Sequence, residues 1–152
     1  KIYWHVRRMV IDHDDADDVV QDVFIKVWRN LAKFREDSQL YTWLYRIATN
    51  ECITFLNKKK MKQNVSLDDD SSAYLAESLA EGTYFNGDKA QMTLQQALLT
   101  LPEKQRLVFN MKYFEDLKYD EISAILGTSV GALKASYHLA VKKIEHFFKT
   151  HD

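Results

Sequence analysis

Cysteine is almost missing from this chain of 152 residues, with Cys52 its only example. That excludes an internal disulfide and a cysteine-based zinc site, so nothing signals an oxidising compartment, and a reducing cytoplasm is the expected setting. One proline and four glycines are too few for turn-rich sheet, and the many Leu, Ile, Lys and Glu favour helices. No apolar run approaches the ~20 residues of a membrane span, and no secretory n-region and h-region pair is visible, so no direct membrane insertion is expected. What is present is apolar material: 46% hydrophobic residues beside 28% charged ones suffice for packed cores and exclude wholesale disorder. The chain opens on Lys1 rather than Met, so a trimmed natural start is expected.

A surplus of either charge is also missing, because the net charge is only −1. Its distribution is more informative. Lys1 to Lys62 carries 12 Lys+Arg against 9 Asp+Glu, Gln63 to Thr100 one lysine against six acids, and Leu101 to Asp152 eight against seven. Two near-neutral or basic blocks therefore flank an acidic middle. Within it, Ser66 to Ser72 and Glu81 to Asp88 lack sustained periodicity and read as linker, although Leu75, Leu79, Tyr84 and Phe85 are apolar enough to dock. The pattern predicts an all-α protein of two small helical domains, 1–62 and 90–152, joined by an acidic linker, 63–89.

The first block predicts three helices. Ile2, Tyr3, Val6, Met9 and Val10 form a helical stripe up to about Asp12. From Ala16 to Leu31, the residues Val19, Val20, Val23, Phe24, Val27, Trp28 and Leu31 form a second, with Asp14 and Asp15 as caps and Asp17, Gln21, Asp22, Lys26 and Arg29 outside the stripe. The third, about Leu40 to Lys60, is expected to bury Leu40, Trp43, Leu44, Ile47, Ala48, Phe55 and Leu56, with Ser38 as its cap.

The run from Asp12 to Asp18 contains a DDxxD spacing, the magnesium–diphosphate signature of isoprenoid synthases. That chemistry needs a deep helical pocket and a second carboxylate cluster, which so short a chain does not offer. Capping or interaction is the expected role. His5 and His13 lack ligand partners at fixed spacing, and Cys52 falls beside Ala48 and Phe55, so packing or surface roles are expected for all three. No nucleophile–base pair stands out, so no catalytic residue, metal ligand, cofactor or small-molecule substrate is assigned, and the chain is not read as an enzyme.

Aromatics and cations interleave on the third helix: Phe34, Tyr41, Trp43 and Tyr45 alternate with Arg35, Arg46, Asn50 and the run Lys58-Lys59-Lys60. Trp43 fits the core. Tyr41, Tyr45, Arg46, Thr49 and Asn50 do not all fit there, and this composition serves either an ordinary wet face or contact with nucleic acid, where rings stack on bases and cations neutralise phosphate.

The last block carries the sharper pattern. A helix over about Ala90 to Thr100 precedes one opened by Pro102, with Leu107, Val108, Met111 and Phe114 on its stripe. A short helix, Asp120 to Leu126, then meets a turn at Gly127 and a long helix from Val130 to about Phe148, capped by Ser129. Ile122, Leu126, Val130 and Leu133 can hold two helices at a steep angle, as in a helix-turn-helix. Lys134, Ala135, His138 and Lys142 fall outside the stripe of Val130, Leu133, Tyr137, Ala140 and Ile144.

The segments Asp17-Asp18-Val19-Val20-Gln21-Asp22-Val23-Phe24, Phe34 to Ser38 and Thr42 to Asn50 resemble region 2 of the extracytoplasmic-function sigma factors of bacterial RNA polymerase. Leu101 to Arg106 and Tyr119 to Gly131 resemble region 4 of that family. The resemblance spans nearly the whole chain and implies a non-enzymatic sigma factor that directs core polymerase to promoters. It implies docking of Asp17, Gln21, Asp22 and Phe24 on the β′ clamp helices, and a second polymerase contact at the β flap. It further implies opening of the −10 element by Ser38, Tyr41, Tyr45, Arg46 and Asn50, where extruding a base costs a few kcal/mol that stacking must return. Ser129, Val130, Gly131, Ala132, Lys134, Ala135, His138 and Lys142 would meet the −35 element, and an anti-sigma factor is an implied partner. A further N-terminal helix is usual in the family.

The chain departs from the family pattern at Glu36, at Thr54 and across Ala132 to Ser136, and Leu139 stands where a later arginine is usual. Polar contacts to bases are thereby lost, and Ala132 and Ala135 can instead meet thymine methyls. A core-independent helix-turn-helix regulator and a helical protein-interaction adaptor are the alternative readings.

Overall fold

A computed structural model of the chain describes residues 1–34, 39–67, 69, 71–81 and 88–151. Their α-helices, in chain order, are α1 (Ile2–Val10), α2 (His13–Asn30), α3 (Leu40–Lys62), α4 (Ala76–Glu81), α5 (Lys89–Leu98), α6 (Glu103–Phe109), α7 (Tyr119–Leu126) and α8 (Val130–Thr150). Among the described residues the only extended pairing is an isolated bridge between Ser71 and Pro102. The all-α expectation therefore holds.

Local chemistry sets most helix ends. Asp12, not Asp14 or Asp15, caps α2 by accepting the Asp15 N–H at 3.0 Å. Asp14 and Asp15 sit in the first turn and complement the helix dipole instead. Asp88 caps α5 through the N–H groups of Ala90 and Gln91. Pro102 precedes α6 as its N-cap, one position earlier than expected. A π turn over Asn110–Phe114 then ends that helix. Ser38, the expected cap of α3, lies outside the described residues, as do Tyr84 and Phe85.

α1, α2 and α3 pack on one another around Val6, Val10, Val19, Val23, Ala48, Cys52 and Leu56. This core continues without a break into Leu107, Val108, Met111, Ile122 and Leu133 of the C-terminal helices. Leu75 and Leu79 of the acidic middle are buried in it, so the tether is partly a wedge between the two halves. A second cluster, with Ala97, Leu98, Leu101, Phe109, Ala140 and Ile144, holds α5 and α6 against α8. No helix among the described residues is long and apolar enough to cross a membrane.

Two expectations about faces are corrected. Phe24, Trp28 and Leu31 of α2, read as core, are exposed, because α1 and α3 cover only the Ala16, Val19 and Val23 side of that helix. Leu40 is likewise about half exposed, and the buried face of α3 runs instead through Tyr45, Ala48, Thr49, Cys52 and Leu56. The shift of face comes from partners remote in sequence. Thr49 is met by His5, and Tyr45 is covered from the C-terminal helices.

His5 is fully buried, with Nε2 2.9 Å from Thr49 Oγ1 and its ring 5.1 Å from that of Tyr45. Burial first, and nearby Arg8 second, hold its pKa down at about 4. The unfolded chain therefore takes up this proton below about pH 6.5, whereas the folded one does so only near pH 4. Stability is complete above the unfolded value and is lost as pH falls across that window, by up to roughly 3 kcal/mol from this group. His5→Gln is expected to flatten the decline of the urea midpoint between pH 6.5 and 4; an unchanged slope counts against the assignment.

Arg106 is the largest fully buried side chain. Its Nη1 and Nη2 donate to the carbonyls of Arg8 and Met9 at 2.8 and 2.9 Å, and Nε to Ser72 Oγ at 2.9 Å. Those carbonyls belong to the last turn of α1, where helical partners run out. The remaining ones are met locally: Arg7 O by the Ile11 N–H, Val10 O by the Asp12 N–H, and Ile11 O by Arg7 Nε. A guanidinium from α6 thus completes the C-terminus of α1 and places positive charge at the negative end of its dipole.

Candidate nucleic-acid interface

The turn between α7 and α8 is set by three residues. Gly127 takes a left-handed φ of 68° and donates its N–H to Ser123 O at 2.8 Å. A Cβ there would meet nothing within 4 Å, so the backbone conformation rather than space calls for glycine. Glu121 accepts the Lys118 N–H at the start of α7, and Ser129 caps α8 by accepting the Ala132 N–H at 3.2 Å. Buried Ile122, Ile125 and Leu133 lock the pair. This is the helix-turn-helix geometry the spacing predicted.

α8 consequently buries Leu133, Ala140 and Ile144 and leaves Ser129, Gly131, Ala132, Lys134, Ala135, His138 and Lys142 exposed, with Val130 half-buried at the turn. Lys134 Nζ lies 5.8 Å from the centre of the Tyr119 ring, which holds the cation along the face. Gly131, Ala132 and Ala135 keep the N-terminal part of that face shallow, a shape that admits close approach of a grooved surface. Leu139, which stands where the resemblance leads one to expect an arginine, is also exposed and adds an apolar side chain to this face.

The α3 residues divide. Asn50 is exposed and Tyr41 half-buried, its ring 4.7 Å from that of Tyr45. Tyr45 is only 1% exposed and donates its hydroxyl to Glu115 Oε2 at 3.0 Å. Burial pushes its ionisation well above the ordinary tyrosine range, and Tyr41 and Glu115 add to the shift. Arg46 donates to the Ala124 carbonyl of α7. The expectation that Tyr45 lies on an open face is therefore corrected for this packing of the chain. Ser38 lies outside the described residues. Trp43 is half-buried against Phe34, ring centroids 5.2 Å apart.

On α2, Asp17, Gln21, Asp22 and Phe24 are all exposed, and they border a ridge that sequence reasoning assigned to the core. Trp28 is 80% exposed, Phe24 53% and Ile25 42%, and with Gln21 and Arg29 they line a groove of about 510 Å³. Acid on one flank and bare aromatic surface beside it suit a basic, partly apolar protein partner. A second apolar groove, about 340 Å³, runs between α5, α6 and α8 past Leu94, Phe109, Tyr113, Tyr137 and Val141.

Other chemistry is sparse. Cys52 is buried, and burial pushes its thiol up to about 12, which leaves it unreactive. His13, Asp14 and Asp17 bring ligand atoms within 4.8 Å of one another, but all three are exposed and serve the first turns of α2.

Residues 1–61 match the family model described as Sigma-70 region 2, and residues 91–144 match Sigma-70, region 4. The chain is similar to the RNA polymerase sigma-H factor of Pseudomonas aeruginosa, with 33% identity over 161 residues covering 95% of this chain and 79% of that protein. It is 34% identical over 146 residues to the ECF RNA polymerase sigma factor SigW of Bacillus subtilis, covering 91% and 78%. It is 31% identical over 142 residues to the ECF RNA polymerase sigma-E factor of Escherichia coli, covering 87% and 73%. The fold is that of the sigma factor RpoE solved with the anti-sigma factor NepR from Bartonella quintana, at a TM-score of 0.74 and 22% identity, covering 99% of this chain and 91% of that one. It is also that of CnrH solved with the cytosolic domain of CnrY, at a TM-score of 0.70 and 23% identity, covering 99% and 82%.

Proposed function

The chain belongs to the extracytoplasmic-function sigma factors, non-enzymatic initiation factors of the sigma-70 family, and from that premise we propose that it directs core RNA polymerase to a specific set of promoters. Residues 1–62 act as region 2, 90–152 as region 4, and 63–89 as the connection between them. The α2 ridge, through Asp17, Gln21, Asp22 and Phe24 and with Trp28 beside them, docks on the β′ clamp helices. The β flap takes the apolar groove between α5, α6 and α8. The α8 face from Ser129 to Lys142 enters the major groove at the −35 element, and Tyr41, Tyr45, Arg46 and Asn50 of α3 with Ser38 act at the −10 element. The cytoplasm, where core polymerase resides, is the place of action, and an anti-sigma factor is the expected negative partner.

The observation that carries the reading is the α8 face, presented by a capped turn and backed by its own core, in a chain whose α2 ridge is also uncovered. Each surface is a modest binder, and holding both on one polymerase scaffold multiplies their effect. Near-neutral charge fits that division, because a free-standing DNA reader is usually more basic. In a gel-shift titration the isolated chain is expected to bind promoter fragments feebly and the chain with core polymerase strongly. Run-off transcription on fragmented genomic DNA then identifies the sites. Comparable affinity with and without core polymerase overturns the reading.

A further inference from the structure

We propose that α8 holds DNA twice: beyond the face that meets the −35 element, a cation-lined groove along its last turns seats the phosphate backbone of the flanking duplex without reading its sequence. The inference rests on the function proposed above and adds a binding site to it.

The helix is long for its task. Its 21 residues extend about 31 Å, whereas the major groove is about 12 Å wide. Gly131, Ala132 and Ala135 make only the N-terminal end shallow enough to sink between phosphate ridges. A helix entering there carries its C-terminal half over the bordering backbone. From His138 onward the solvent-facing side changes character to suit that position. His138, Lys142, His146 and Lys149 recur at intervals of four, four and three residues, and all are exposed.

Lys142 belongs to both surfaces. It stands on the −35 face and opens a groove of about 620 Å³ that it shares with Lys143, His146, Phe147 and Thr150, with Thr100 on the opposite wall. No carboxylate lines this groove among the described residues, and Glu145 of the same helix lines the apolar groove between α5, α6 and α8 instead. The cations are also available. The Lys142 and His146 side chains have no hydrogen-bond or ion-pair partner among the described residues, and Lys143 meets only the neutral Gln105 Oε1 at 3.2 Å. A bare helix C-terminus would repel phosphate, but here the Phe147 carbonyl accepts from Thr150 Oγ1 at 3.1 Å and lies 2.9 Å from His151 Nδ1. Lys149 adds positive charge to that last turn. An acidic protein would match the sign equally well. Continuity with the −35 face at Lys142 favours the duplex, since a polyanion held at one end is already delivered to the other. His146 and the residues after it lie past the stretch that matches region 4, so the groove extends beyond that module.

The test uses holoenzyme assembled from core polymerase and the full chain, on a promoter recovered by run-off transcription. Uncharged methylphosphonate linkages replace single phosphates over about one helical turn on either side of the −35 element. Wild-type affinity is expected to drop at one or two of these flanking linkages. Lys143→Ala with His146→Ala is expected to bind the unmodified promoter roughly five- to twentyfold more weakly and to lower the salt slope by about one. The same variant should be insensitive to the flanking linkages and should lose the same factor after the −35 bases are changed. Both positions are exposed, so its thermal midpoint and core binding should match the wild type. No flanking sensitivity in the wild type, or sensitivity retained in the variant, overturns the site and leaves the sigma-factor reading standing. A variant that loses a protein partner while keeping its DNA affinity assigns the groove to that partner and overturns the site as well. If the wild-type chain with core polymerase yields no promoter, that reading is overturned and the site falls with it.

Discussion

Arg106→Ala is expected to lower the stability of the free chain by roughly 3–5 kcal/mol, the range seen when a buried charged hydrogen-bonding group is removed and its partners are stranded. Three acceptors lose their donor together: the carbonyls of Arg8 and Met9, and Ser72 Oγ. The Ser72 and Met9 acceptors are buried and the Arg8 carbonyl partly so, and a cavity is left as well. Burial lowers the pKa of Arg106, with Glu103 opposing, yet a guanidinium remains charged at any pH the protein survives. Arg106→Lys should recover little, because one ammonium cannot reach acceptors laid out for Nε, Nη1 and Nη2. Urea unfolding followed by circular dichroism measures the loss. The transition is expected to stay single in Arg106→Ala, because the core shared by α1–α3 and the C-terminal helices persists in the variant. A loss below about 1 kcal/mol, the scale of an ordinary surface substitution, is the result that defeats it.

The largest functional effect is expected from Lys134→Glu combined with Ala135→Glu. Both positions are exposed, so the thermal midpoint should stay close to that of the wild type. On DNA the outcome is different. Two carboxylates replace one cation and one methyl at the centre of the α8 face, where they meet phosphates and the electronegative edges of the groove. Initiation from −35-dependent promoters is expected to fall by roughly 10- to 100-fold, the cost of one or two lost or repelled groove contacts. Core polymerase binding through α2 should be unaffected. Unchanged run-off transcript levels would show that α8 does not read promoter DNA.

How far these sites could be read without coordinates depends on where their partners lie in the chain. The α7–α8 turn was legible because Gly127, Ser129, Ile122 and Leu133 act within a dozen residues of one another, and local chemistry suffices. The ridge on α2 was misread for a specific reason. Phe24, Trp28 and Leu31 make a regular apolar stripe, and periodicity reports that a face is apolar but not whether this chain covers it. The buried face of α3 was displaced for the converse reason, since Tyr45 answers to Glu115, 70 residues further on, and Thr49 to His5. Arg106 is the extreme case. Nothing around it in sequence marks an arginine for burial, and only the unfinished end of α1 explains its place.

That unfinished end bears on how the molecule comes into being. A ribosome releases α1, α2 and α3 well before residue 106 emerges, and through that interval the carbonyls of Arg8 and Met9 depend on water. The nascent N-terminal half therefore has neither the donors that finish α1 nor the Glu115 carboxylate that takes the Tyr45 hydroxyl. It matures only when a partner made nearly a hundred residues later folds back, a contact distant enough to slow the final step of assembly.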